Sequence, residues 1–302
     1  MSLKIVFMGT PQFSVPTLEA LLKNKLNILS VYTQSPKKSK RGLKVHSTPV
    51  EEFCKKNKIN FKNPENLNTE DSFKFLKELS PDIVIVVAYG QIIPNFFLPL
   101  PKYGFINIHA SLLPKWRGAA PIQRAIMNGD KKIGVSIMKI QEKVDSGPVL
   151  MLKELDLEKN ATYGEIEKKL SIIGANLLIK SIQNIERGTS NFIDQQHSKA
   201  TYAKKIEKNE TKINWNLNAS RVLSHIHGLS PSPGAWFEYQ QERYKILKAK
   251  ITLINGNPGS VVNENLTVAC KSNSIQILEL QRQGKKKQTA RDFLLGKKIR
   301  NS

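Results

Sequence analysis

Asn107 and His109 stand two residues apart at the end of the apolar run Phe105-Ile106-Asn107-Ile108-His109. On a strand that spacing sends both side chains to one face, near its carboxyl end. An amide and an imidazole placed there can polarise one carbonyl group. Asp145, in the turn Val144-Asp145-Ser146-Gly147-Pro148, adds a carboxylate on the same rim. A single strand histidine or turn aspartate is ordinarily structural. Together the three form the strongest constellation in the chain. Ser111 lies near His109, but no G-x-S-x-G elbow presents it as a hydrolase nucleophile. His225 and His227 are two apart on a helical segment and face different ways, and the two cysteines, Cys54 and Cys270, are far apart, so no metal site is expected.

The elements that must position these residues alternate between strand and helix. Lys4 to Gly9 reads as a short buried strand, followed by a helical pattern through Val15, Leu18, Leu21 and Leu22. Further strands are expected at Leu26 to Tyr32, Asp82 to Ala88, Phe105 to His109, Ile133 to Ile140 and Pro148 to Leu155. Helices are expected at Pro49 to Asn57, Ser72 to Leu79, Pro121 to Asn128 and Tyr163 to Arg187. The pattern implies an α/β domain with a doubly wound, mostly parallel, Rossmann-like sheet, whose last two strands form an antiparallel edge. The first turn holds only one glycine in Gly9-Thr10-Pro11-Gln12-Phe13-Ser14, and no G-x-x-x-x-G-K-[ST] occurs, so neither a nicotinamide cofactor nor a P-loop nucleotide is expected. After Gly188 the chain turns polar. A helix at Ala219 to His227 and short runs at Tyr244 to Ile251, Ser260 to Asn263, Leu266 to Cys270 and Ile275 to Leu280 then fit a small OB-like β-barrel. The expected division is residues 1–189, a linker at 190–206, and residues 207–302.

Charge separates the candidate partners. Among 302 residues, 47 Lys and Arg face 25 Asp and Glu, a net charge of +22, which favours a polyanion such as nucleic acid. Residues 201–302 hold 18 Lys and Arg against 7 Asp and Glu, so the C-terminal part is the more basic by density. Between Glu19 and Glu51 no acid occurs, and Lys37, Lys38, Lys40, Arg41 and Lys44 crowd the loop from Gln34 to Ser47. That loop follows the second strand, on the edge where open α/β sheets bind ligands. The start carries no signal-peptide pattern and no apolar run approaches a membrane span, so a reduced, cytoplasmic protein is expected, with no membrane partner and a monomer as the default.

The Gly9-Thr10-Pro11-x-Phe13 opening, Val87-Ala88-Tyr89-Gly90, Asn-x-His with Ser111-Leu112-Leu113-Pro114, Arg117-Gly118-Ala119-Ala120-Pro121 and the Asp-Ser-Gly turn resemble the methionyl-tRNA formyltransferase family. The resemblance runs nearly end to end and includes Pro231-Ser232-Pro233-Gly234-Ala235-Trp236. It implies transfer of a formyl group from 10-formyltetrahydrofolate to the amino group of methionine esterified to initiator tRNA. It further implies a catalytic trio at Asn107, His109 and Asp145, and folate contacts at Ser111, Leu112, Leu113 and Pro114 and at Val87, Ala88, Tyr89 and Gly90. A tRNA-reading loop falls on Lys37, Lys38, Lys40, Arg41 and Lys44. Whether His109 or Asp145 takes the proton stays open at this stage. The alternative expectation is a relative that formylates an aminosugar nucleotide, which needs no surface this basic.

Overall fold

A computed structural model of the chain describes residues 2–38 and 45–296. Its first part contains β1 (Lys4–Gly9), α1 (Val15–Lys23), β2 (Asn27–Tyr32), β3 (Lys37–Lys38), β4 (Val45–His46), α2 (Pro49–Lys56), β5 (Phe61–Lys62), α3 (Glu70–Leu79), β6 (Ile83–Val87) and β7 (Phe105–His109). Then follow β8 (Arg117–Gly118), α4 (Pro121–Asn128), β9 (Lys132–Lys139), β10 (Val149–Asp156) and α5 (Tyr163–Glu186). Seven strands form one sheet in the order β10-β9-β7-β6-β1-β2-β5. β1 is parallel to β2 and β6, β2 to β5, and β6 to β7, whereas β9 runs antiparallel to β7. The mostly parallel sheet with an antiparallel edge is thus observed. Its central strands are covered on both faces, so Ile83-Val84-Ile85-Val86-Val87 is apolar at every position and buried throughout. Thr48 and Thr69 accept hydrogen bonds from the Glu51 and Ser72 N–H groups and so start α2 and α3.

From β1 the chain steps outward to β2 and β5, then returns to build β6 and β7 on the other side of β1. The order therefore reverses between β1 and β6, which opens a crevice beyond their carboxyl ends. His109 ends β7, the next strand along. Behind it, Gly174 of α5 lies so close to β7 that a Cβ there would stand 2.8 Å from Ile108 Cγ2. The absent side chain lets the helix back the strand directly.

The remaining elements are β11 (Tyr202–Ala203), α6 (Ala219–Leu229), β12 (Ala235–Tyr239), β13 (Glu242–Thr252), β14 (Val261–Asn263), β15 (Thr267–Ala269), β16 (Ser274–Arg282), β17 (Lys287–Thr289) and α7 (Ala290–Gly296). An antiparallel sheet runs β12-β13-β16-β15-β14, with β17 also paired to β16. β12 lies outside the expected strands. It is joined to β13 by Gln240 and Gln241, both at positive φ (49° and 60°), which is the backbone of a two-residue primed turn made without the usual Asn-Gly signal. The core under this sheet includes Val222, Ile226, Tyr244, Ile246, Ile275 and Ile277.

By internal contacts the chain forms two units, one of residues 1–117, 134–154 and 168–202, the other of residues 118–133, 155–167 and 203–302. In the second, α4 packs on α6, and Arg124 holds Glu210 through two hydrogen bonds of 2.6 and 2.8 Å while donating to the Lys204 and Lys205 carbonyls. In the first, Val149 and Ile193 exchange both backbone hydrogen bonds, at 2.8 and 2.9 Å. The polar stretch after Gly188 is therefore fastened to β10 at this point.

Candidate active site

Strand β7 presents Asn107, half-buried, and His109, 5% exposed. Nε2 of His109 lies 2.9 Å from the Trp116 carbonyl oxygen. A carbonyl only accepts, so Nε2 donates, and Nδ1 of the neutral ring carries the lone pair. Nδ1 faces Asp145 Oδ2 at 3.6 Å, an ion-pair separation longer than a direct hydrogen bond. The structure therefore brings His109 and Asp145 together, with Asn107 two residues upstream on the strand.

Asp145 sits in the left-handed region at φ 49°, as do Trp116 at 60° and Ala88 at 45°. Residues with a Cβ disfavour that region, and such strain gathers at sites whose surroundings enforce it. Around Asp145 the enforcement is visible. Gln195 Nε2 donates to the Asp145 carbonyl at 2.9 Å and to the Gly147 carbonyl at 2.6 Å. Gln195 Oε1 accepts from Arg117 Nε at 3.1 Å and Nη2 at 2.8 Å, and Nη2 also reaches His197 Nδ1 at 2.9 Å. Gly147 presses on the preceding strand, where a Cβ would lie 1.9 Å from the Lys139 carbonyl oxygen. The sequence offered no signal for Gln195, because its partners lie 50 and 78 residues away along the chain.

The expected folate-contacting residues fall into two groups. Val87 and Tyr89 are buried, while Ala88 and Gly90 are exposed at the end of β6. Burial pushes the Tyr89 phenol up to about 12. The Val87, Tyr89 and Gly90 carbonyls accept from Ser14 Oγ, Thr10 Oγ1 and Gln34 Nε2, each at 2.6 Å, so the loops after β1, β2 and β6 are tied together at the crevice. In the second group, Ser111 is buried and donates to the Lys115 carbonyl at 2.5 Å. Its own carbonyl accepts from Ser136 Oγ, which also accepts from the Leu113 N–H. The Ser111 hydroxyl thus serves the loop. Leu113 and Pro114 are joined by a cis peptide bond, just after Leu112, in a loop fastened by these hydrogen bonds.

In the basic loop, Lys37 and Lys38 pair with His46 and Val45 as a two-residue ladder, and Lys40, Arg41 and Lys44 lie outside the described residues. His225 Nε2 donates to the Glu210 carbonyl and His227 Nε2 accepts from the Ala249 N–H, so the two rings serve different partners. Burial lowers both, His227 to about 4. Among the described residues no group of three or more His, Cys, Asp or Glu is placed to hold a metal, and no helix is long and apolar enough to cross a membrane.

The sequence profile of the family described as formyl transferase matches residues 3–182, and that of the formyl transferase C-terminal domain matches residues 205–298. The chain is 49% identical over 301 residues to a protein named methionyl-tRNA formyltransferase from Pelagibacter ubique (strain HTCC1062), covering 99% of this chain and 97% of that one. Among solved structures it resembles HypX from Aquifex aeolicus in complex with tetrahydrofolic acid, with a TM-score of 0.69 at 16% identity. That match covers 97% of this chain and 47% of HypX, so the chain spans about half the length of HypX. It resembles equally, at a TM-score of 0.69 and 20% identity, WlaRD, a sugar 3N-formyl transferase solved in the presence of dTDP and 5-N-formyl-THF, covering 95% of this chain and 100% of that one. Equal likeness to two differently named proteins shows the fold alone, whereas the sequence identity holds over both regions of the chain. The chain belongs to the formyl transferase family and, within it, to the methionyl-tRNA formyltransferases.

Proposed function

We propose that the protein transfers the formyl group of 10-formyltetrahydrofolate to the amino group of methionine carried by initiator tRNA. The observation that carries the chemistry is His109 held between the Trp116 carbonyl and the Asp145 carboxylate, one strand along from the order reversal of the sheet. In this reading the donor is held by Val87, Ala88, Tyr89 and Gly90 at the end of β6, where Ala88 and Gly90 are exposed, and by Ser111, Leu112, Leu113 and Pro114. The donor supplies the formyl carbon and a nitrogen leaving group. As the amine adds, the carbonyl oxygen gains negative charge, and the Asn107 amide donates to it. The new C–N bond leaves a surplus proton on the attacking nitrogen. With Nε2 committed to Trp116, the basic atoms in reach are His109 Nδ1 and the Asp145 carboxylate, which act as one acceptor pair and return a proton to the departing nitrogen. One C–N bond forms, one breaks, and one proton moves between the two nitrogens.

Residues 1–189 carry the donor site and the trio in this reading, residues 207–302 meet the tRNA, and residues 190–206 connect them. Lys37, Lys38, Lys40, Arg41 and Lys44 contact tRNA phosphates, and the excess positive charge supplies the attraction. The protein works as a monomer in the cytoplasm, without a metal or a nicotinamide cofactor. The test presents methionyl-initiator tRNA, free methionine and an aminosugar nucleotide in parallel with 10-formyltetrahydrofolate. Formylation confined to the charged tRNA is expected. Formylation of the aminosugar, or release of formate with no acceptor, would overturn the acceptor assignment.

A further inference from the structure

We infer that Gln195 is a positioning residue for the reaction, acting through Asp145, with Arg117 holding Gln195 in turn. Four hydrogen bonds use the whole capacity of the Gln195 amide. Both N–H donors go to main-chain carbonyls of the Asp145 turn, at 2.9 and 2.6 Å, and both acceptor sites of Oε1 face Arg117, at 3.1 and 2.8 Å. The partners force this orientation. Two carbonyls can only accept and a guanidinium can only donate, so a flipped amide would lose every bond at once. The group is also walled from water, with Gln195 8% and Arg117 5% exposed. A buried amide with all four of its hydrogen-bonding positions occupied specifies one geometry, because each alternative leaves a polar atom unpaired.

What it fixes is the backbone that aims Asp145. An L-residue at φ 49° tends to relax toward negative φ, which would swing the carboxylate away from His109. Hydrogen bonds to the carbonyls of Asp145 and Gly147 grip the turn on both sides of Ser146, while Ser146 Oγ closes it from within by donating to the Lys143 carbonyl at 2.8 Å. The double backbone pairing of Val149 with Ile193 delivers Gln195 to this place, two residues beyond Ile193. The chemistry that uses Asp145 rests on the formyl-transfer reading. The hold on the turn does not.

Two variants separate these roles. Gln195→Glu keeps an acceptor for Arg117 but sets carboxylate oxygens against the two carbonyls, and Gln195→Ala removes every bond. Formyl transfer to methionyl-initiator tRNA is expected to lose about 10- to 100-fold in kcat in both, with KM for each substrate within about two-fold of wild type, because a misaimed group costs rate rather than binding. The imidazole NMR signals of the substrate-free protein give a readout independent of any acceptor, with the His109 signal assigned through His109→Gln. Gln195→Ala is expected to displace the His109 signal in the same direction as Asp145→Asn does. If the wild-type protein fails to formylate the tRNA, the acceptor reading falls and the His109 signal alone decides the inference. A folded Gln195→Ala protein with the wild-type His109 signal overturns it, as does one with wild-type kcat. A loss confined to Tm would make Gln195 merely structural.

Discussion

The commitment of His109 Nε2 to the Trp116 carbonyl decides which ring atom can serve as a base, since only Nδ1 is left and it looks toward Asp145. Replacing His109 by Ala, or Asp145 by Asn, is expected to lower kcat by about 10²- to 10⁴-fold, the range for losing a positioned acid or base. Far-UV circular dichroism and the thermal midpoint check that the variants fold, and a folded variant with near-normal turnover would remove the residue from the mechanism. At this scale the sequence was legible where spacing carries geometry. The two-residue offset of Asn107 and His109 is a strand spacing, and it survives intact. Ser111 and Gln195 were not legible in the same way, because the direction of a hydroxyl or an amide depends on neighbours such as Lys115 and Arg117 that loop geometry brings together.

Strands and helices position the site through a few close approaches. The turn after β9 is one of these, since a Cβ on Gly147 would meet the Lys139 carbonyl oxygen at 1.9 Å and main-chain oxygen cannot swing aside. Gly147→Ala is expected to cost about 1–3 kcal/mol of stability, as overpacking does, and to lower kcat through displacement of Asp145. Chemical denaturation and steady-state kinetics test both, and wild-type values for each would show that the turn has slack. Branched, apolar runs made β1, β6 and β7 readable and the Thr48 cap marked α2, whereas α3 starts at Glu70 behind Thr69, two residues before the expected Ser72. The β12–β13 hairpin was hidden for a local reason. Its turn places Gln240 and Gln241 at positive φ, a conformation that sequence normally announces with Asn or Gly.

Over the whole molecule, charge and burial govern behaviour that no single site explains. Exchanging Lys38, Lys40 and Arg41 together for neutral residues is expected to weaken tRNA binding and to shrink the slope of log Kd against log salt by roughly 2–3, about one counterion per lost phosphate contact. An unchanged slope would leave that stretch without a role in binding. Acid should destabilise the fold through His227, which burial holds at about 4 against an ordinary 6.5. The unfolded chain then binds a proton that the folded chain refuses. Stability is full above about pH 6.5 and declines as pH falls toward 4, by up to about 3 kcal/mol. His227→Gln should flatten that acid limb in a plot of Tm against pH, and an unaltered limb would exonerate the ring. A last consequence follows from the helix α4, whose Gln123 and Met127 lie against Gly228 of α6 in a unit otherwise built largely from residues 203–302. On the ribosome, α4 is finished roughly 100 residues before the end of α6 is made, so at about 5–20 residues per second Met127 waits roughly 5–20 s for that neighbour. For that interval this side of α4 is without its partner helix, and slow codons between α4 and α6 would lengthen the wait.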